Sequence, residues 1–419
     1  MIRSLLLATT LLCAPAALAE PVAITGGKVV TNTPQGIIEN ATVVIDNGRV
    51  ISVGTAAPPA GARVIDAKGK WVTPGLFAAF SRVGLSEIDS EDSAEDTSAP
   101  SSKFQASLHA ADAFNPDDTA IAVTRIEGVT HAAIVGAPGK GLFAGFGAII
   151  DLSGGLNSLQ AREAFMLARL GESGASAAGG SRAASLLWLQ TAFDDARAYP
   201  KGFSDDGEGD ILSRKDAIAL KPVIEGKIPL MIEVHQAGDI LQVIALQKRE
   251  PKIRFIILGA AEGWRVADQI AASKIPVIVN PLTNLPDRFE ILAATLENAG
   301  RLSRAGVTVA IADPGEATHN TRLIQQLAGN AVANGMEWGQ AFAAITSVPA
   351  GMHGRPDLGV LSPNATADVL IWDGDPLELM SSPDAVFIAG VETPMVSRQT
   401  KLRDRYLNLS EPLPQAYER

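Results

Sequence analysis

Trp71-Val-Thr-Pro-Gly-Leu-Phe-Ala-Ala-Phe-Ser-Arg-Val-Gly84 is the stretch on which the reading of this chain turns. Val72 and Thr73 favour a strand, Pro74-Gly75 interrupts it, and Leu76 to Phe80 resumes as an unbroken apolar run. A short run that is apolar on both faces suits a parallel sheet covered by helices. It reads as the first strand of a β/α barrel, reached from a preceding small β unit.

Working downstream, strands and helices alternate. Pro229–His235, Arg254–Gly259, Ile275–Asn280 and Gly306–Asp313 read as strands; Asp239–Gln247, Gly263–Ser273, Arg288–Ala305, Thr321–Ala333 and Trp338–Ser347 read as helices. Val129–Val135 and Gly147–Leu152 add two more strands. Ser158–Leu170 and Ala183–Ala198 read as amphipathic helices, with Gly171–Gly180 a flexible connection between them. Asn115-Pro116 reads as the cap and first position of a helix running to Ile126. Parallel strands joined by helices over about 280 residues predict a (β/α)8 barrel. Seven strands can be placed, and the eighth is expected between Leu152 and Lys227.

Upstream, Val22–Val72 is rich in short strands, with Asp46-Asn-Gly48 a hairpin signal. Short strands return over Leu358–Val391. The fold expected is therefore α/β: a (β/α)8 barrel inserted into a small β-sandwich built from both chain ends. The boundaries are 1–19 for a leader, 20–72 and 355–419 for the composite β domain, and 73–354 for the barrel.

Met1–Ala19 reads as a secretory signal, with Arg3, an apolar run, and Ala17-Leu18-Ala19 as cleavage site. This implies a periplasmic or secreted protein. The only cysteine, Cys13, lies in that leader, so the mature chain has no disulfide or thiolate chemistry. A net charge of −11 argues against nucleic acid and anionic membranes as partners. The acidic run Glu87, Asp89, Glu91, Asp92, Glu95, Asp96 reads as a solvated loop, with a lid or calcium loop as the alternative. Gly136–Gly145, beside Lys140, reads as a barrel loop; it lacks the spacing of a phosphate-binding loop.

Several stretches together resemble the amidohydrolase superfamily, most of all its imidazolonepropionase-related, periplasmic branch. They are Asn47–Gly54, Val64–Leu76, Ala344–Ala350, Gly359–Leu361 and Ala367–Pro376, in that order along nearly the whole mature chain. The resemblance implies a metal-dependent hydrolase of amide or cyclic amide bonds, zinc being the metal if any is held. It implies ligands from a His-x-His pair after the first strand, a lysine or glutamate from a middle strand, histidines after the fifth and sixth strands, and an aspartate after the eighth.

Carried across, most of that set is missing. Phe80 and Arg82 stand where the His-x-His pair belongs, and Ala260 stands at the sixth-strand position. Phenylalanine offers no lone pair and arginine offers only donors and a fixed positive charge. His235 matches the fifth-strand histidine and Asp313 the final aspartate. Two ligands fall short of the three a catalytic zinc usually takes.

His235 and Asp313 are thus the candidate catalytic residues, and Arg82 and His319 the candidate substrate-binding residues. Arg82 is expected to pair with Asp313, standing where a metal charge stands in relatives. His319 with Glu316 is a further candidate acid/base pair. Two functions remain open: a carbon–nitrogen hydrolase with a reduced site, and a catalytically silent relative. The silent relative would bind a small amide or peptide-like molecule, or assemble as a homo-oligomer or with an intact amidohydrolase.

Overall fold

The computed structural model describes residues 20–88, 91–204, 209–315 and 318–407. Expectations for the leader, Asp89 and Glu316 fall outside them. Five strands open the chain: β1 (Val22–Val30), β2 (Ile37–Asp46), β3 (Arg49–Gly54), β4 (Arg63–Asp66) and β5 (Trp71–Pro74). β2 and β3 form the hairpin expected at Asn47-Gly48, whose φ values of 47° and 75° are those a tight hairpin turn demands.

The chain then builds a second sheet. Its strands are β6 (Leu76–Ser81), β7 (Val129–Ile134), β8 (Phe143–Asp151), β9 (Leu159–Arg169), β10 (Leu230–Val234), β11 (Phe255–Gly259), β12 (Val277–Val279) and β13 (Val309–Ile311). They pair in sequence order. β13 approaches β6, and residues 344–345 bridge that seam: Ile311 N–H donates to Ala344 O (2.9 Å) and Phe77 N–H to Ile345 O (2.8 Å). All neighbours are parallel except β8, which runs antiparallel to both β7 and β9.

Three final strands, β14 (Val369–Trp372), β15 (Pro383–Ile388) and β16 (Val391–Thr393), return to the first sheet. Its order is β16-β15-β14-β5-β1-β2-β3, with β4 also on β1. The β5–β14 pairing, Trp71 opposite Trp372, joins the two chain ends. The architecture is the expected one: a (β/α)8-type barrel inserted into a β-sandwich domain made by both ends. Gly75 is the hinge between the two. A Cβ there would collide with the Thr130 side chain and stand 2.9 Å from Asp368 Cβ, so only glycine lets β5 pass into β6.

The eighth strand is β9, where a helix over Ser158–Leu170 was expected. Ala, Glu, Met, Leu and Arg are strong helix formers, yet the segment is sandwiched between β8 and β10. Its side chains alternate: Phe165 and Leu167 fill the barrel interior, while Met166 and Ala168 face the helix layer. Pairing with two neighbours outweighs local propensity. Gly171–Ala177, expected to be flexible, is a helix. The helix before β7 spans Thr119–Ile126 and is capped by Asp118 rather than Asn115, with Asp118 Oδ1 accepting from Ala120 N–H (2.8 Å).

Residues 288–297 are not the helix expected over Arg288–Ala305. A short 3₁₀ turn, Phe289–Ile291, precedes a helix confined to Asn298–Arg304. Side chains from elsewhere hold the backbone that a helix would pair internally. Glu262 Oε1 accepts from Ala293 N–H (3.1 Å), and Trp264 Nε1 donates to Ala293 O (2.8 Å). Glu290, 1% exposed, accepts from Glu172 N–H (2.8 Å).

Candidate functional site

A cleft of about 680 Å³ opens where β10, β11, β12 and β13 end. This is the C-terminal face of the barrel, where such folds carry their chemistry. Glu233, His235, Gly259, Asn280 and Asp313 line its floor. Strand parity explains the set: Met231 and Ile278 fill the barrel interior, and residues two further along each strand face the same way, at Glu233 and Asn280.

His235 is 7% exposed, and neither ring nitrogen has a hydrogen-bond partner among the described residues. Its Nε2 lies 3.6 Å from Glu233 Oε1, an ionic contact longer than a hydrogen bond. The ring packs flat against Gly259, where φ is 98° and a Cβ would overlap the imidazole. Ala260 follows with φ at 42°, a conformation that costs an L-residue energy. The alanine expected at the sixth-strand position therefore brings backbone strain and no ligand atom.

Glu233 was not picked out from the sequence, although its place two residues before His235 was the available signal. Burial pushes its carboxyl up, but the neighbouring imidazole and the guanidiniums of Arg288 and Arg82 outweigh this and hold it below the usual carboxylate range. Glu233 in turn stabilises the charge on Arg169, which burial pushes below the ordinary arginine range. Arg169 ends β9 and donates through Nη2 to Gly139 O (2.7 Å). Reading β9 as a helix hid this arginine from the sequence analysis. Gly139 belongs to the glycine-rich loop, which packs on segment 97–108 with Lys140 turned to solvent.

Asp313 and His235 line the same cleft, but Asp313 does not pair with Arg82. It accepts instead from Asn280 Nδ2 and from Gly315 N–H, both at 3.1 Å. Asn280 is placed to donate because it follows the adjacent strand, β12, while the charge of Arg82 acts on Glu233. His319 is exposed, in the 3₁₀ segment Thr318–Leu323.

The zinc implied by the resemblance does not fit these residues. Among the described residues no group of three His, Cys, Asp or Glu side chains converges on a point. Phe80, 3% exposed, packs its ring into the barrel interior. The charges of Arg82 and Arg169 act on Glu233, so the carboxylate beside His235 is already balanced by fixed cations.

No protein-family model and no curated protein sequence matches the chain. Its fold is the fold of amidohydrolases of known structure. Among them are an amidohydrolase from Thermotoga maritima MSB8 (24% identity, TM-score 0.80, covering 88% of this chain and 99% of that one); molinate hydrolase (17%, 0.59, 96% and 98%); and an adenosine deaminase from Xanthomonas campestris with bound zinc (16%, 0.54, 91% and 96%).

Proposed function

We propose that the chain is an exported member of the amidohydrolase superfamily whose barrel mouth binds a small organic ligand without metal-assisted hydrolysis. One observation carries the reading: the positions of the metal-binding pair hold Phe80, packed in the barrel interior, and Arg82, whose charge acts on Glu233. Metal catalysis needs lone pairs around a cation that activates water. Here fixed guanidiniums and a carboxylate balance one another instead.

The cleft volume lies within the range of small-molecule sites. His235 is buried in the cleft floor with no hydrogen bond to either ring nitrogen among the described residues, its Nε2 3.6 Å from Glu233. The hydrolase alternative draws support from Glu233, His235 and Asp313 sharing one cleft at the catalytic face of the barrel.

The test is the metal content of the mature protein, purified without chelators and then offered excess zinc. Less than about one tenth of an ion per chain, with no turnover of N-acyl or dipeptide substrates, is expected. About one tightly held ion per chain, or turnover abolished by a chelator, overturns the reading in favour of the hydrolase.

A further inference from the structure

A second groove, of about 610 Å³, lies at the junction of the two domains and shares no lining residue with the barrel-mouth cleft. Lys28, Ile37 and Trp71 come to it from the β domain, and Trp338, Gly339 and Ser347 from the barrel. Its volume is that of a small-molecule site.

The walls are fixed by their own contacts. Asn32 donates through Nδ2 to Thr346 Oγ1 (2.7 Å) and to Gly359 O (2.8 Å), tying the β domain to the barrel. Lys28, Trp71, Trp338 and Phe342 make one continuous run. The ammonium stands 3.9 Å from the Trp71 ring centroid, the two indole centroids are 5.3 Å apart, and Trp338 stacks on Phe342 at 5.2 Å. Rings this close are already in contact, so no sugar or ring can slide between the indoles and a ligand must lie along them.

Charge decides the class of ligand. The Asp375 carboxylate is taken up by Trp338 Nε1 (3.0 and 3.1 Å) and by Leu377 N–H (2.9 Å). The Lys28 ammonium has no such partner among the described residues. Glu39 stands 3.8 Å away, beyond hydrogen-bond distance, and its side chain is 67% exposed, where an ion pair is worth little. One uncommitted cation beside tryptophan and Ile37, itself 44% exposed, suits a single negative charge on an apolar body. We infer that the groove binds a small apolar carboxylate, its charge on Lys28 and its body against Ile37, Trp71 and Trp338. The inference does not depend on what occupies the barrel mouth.

Calorimetric titration of the mature protein with phenylacetate, phenylacetamide and acetate tests it. Phenylacetate is expected to bind about fivefold more tightly than the neutral phenylacetamide. Acetate, which lacks the apolar body, is expected to bind at least about tenfold more weakly than phenylacetate. Lys28→Met should abolish the preference for the anion while leaving the affinity for phenylacetamide unchanged. Gly339 has open space at its Cβ position, so Gly339→Leu should fill the groove without breaking its helix and weaken phenylacetate at least about tenfold. His235→Asn, in the barrel mouth, should leave phenylacetate affinity unchanged. No binding of phenylacetate, equal affinity for either other probe, an anion preference that survives Lys28→Met, affinity untouched by Gly339→Leu, or a loss in His235→Asn overturns the inference.

Discussion

Gly259→Ala tests the link between strand geometry and the placement of His235. Two costs add. At a φ of 98° an alanine is strained, which costs about 1–3 kcal/mol. Its methyl would also stand 2.8 Å from Nδ1 and 2.9 Å from Nε2 of His235, and closer still to Cε1. Overpacking of this kind costs about 1–3 kcal/mol. The imidazole must swing away or β11 must shift, so a total loss of about 2–6 kcal/mol is expected in denaturant unfolding.

Gly339→Ala is the control. It lies in the helix Trp338–Ala343 with open space around its Cβ position, and the change should be neutral or stabilise by up to about 1 kcal/mol. The Hε1 resonance of His235 should move in Gly259→Ala and stay in place in Gly339→Ala; with five histidines in the chain, it is readily assigned. A loss below about 1 kcal/mol together with an unmoved resonance would refute the packing argument.

Other predictions follow from the same geometry. Phe80→His with Arg82→His adds two imidazoles to His235 and Asp313 and should raise zinc uptake above that of the unchanged chain, read by metal analysis after dialysis. His353, enclosed by Phe77 and Phe165 and bonded through Nε2 to Ala79 O (3.0 Å), is pushed by burial down to about 4. Because the unfolded state takes the proton first, stability should be full above pH 6.5 and fall by about 3 kcal/mol towards pH 4. His353→Phe should remove that dependence. Asp357 is held at about 2, chiefly by Arg355 (3.1 and 3.2 Å) and also by Thr366 (2.7 Å). Its stabilising contribution should be present above pH 3.8 and vanish as pH falls through 2; the partly exposed pair is screened, so Asp357→Asn should cost about 1 kcal/mol at pH 7.

Much of the site was legible before any coordinates. His235 and Asp313 could be placed because each ends a strand of plain apolar character, and those strands meet at one face of the barrel. Glu233 was overlooked although strand alternation puts it on the same face as His235, two residues on. Arg169 was hidden by the segment around it, whose composition favours a helix. The expected Arg82–Asp313 pair is not formed; Asn280, following the strand beside Asp313, donates to its carboxylate instead.

The sequence by itself determined the class of fold and the side chains at positions 80 and 82, neither of which can ligate a metal ion. Alternating apolar strands and helices leave few architectures that bury every apolar face, and no fold gives Phe80 a lone pair. Tertiary structure alone decided which charges face one another. It turned Leu159–Arg169 into a strand and brought the charges of Arg82, Arg169 and Arg288 to bear on Glu233. The reason is physical: the chemistry of a side chain is local to its residue, whereas electrostatic and packing energies depend on distance and burial between residues far apart in the chain.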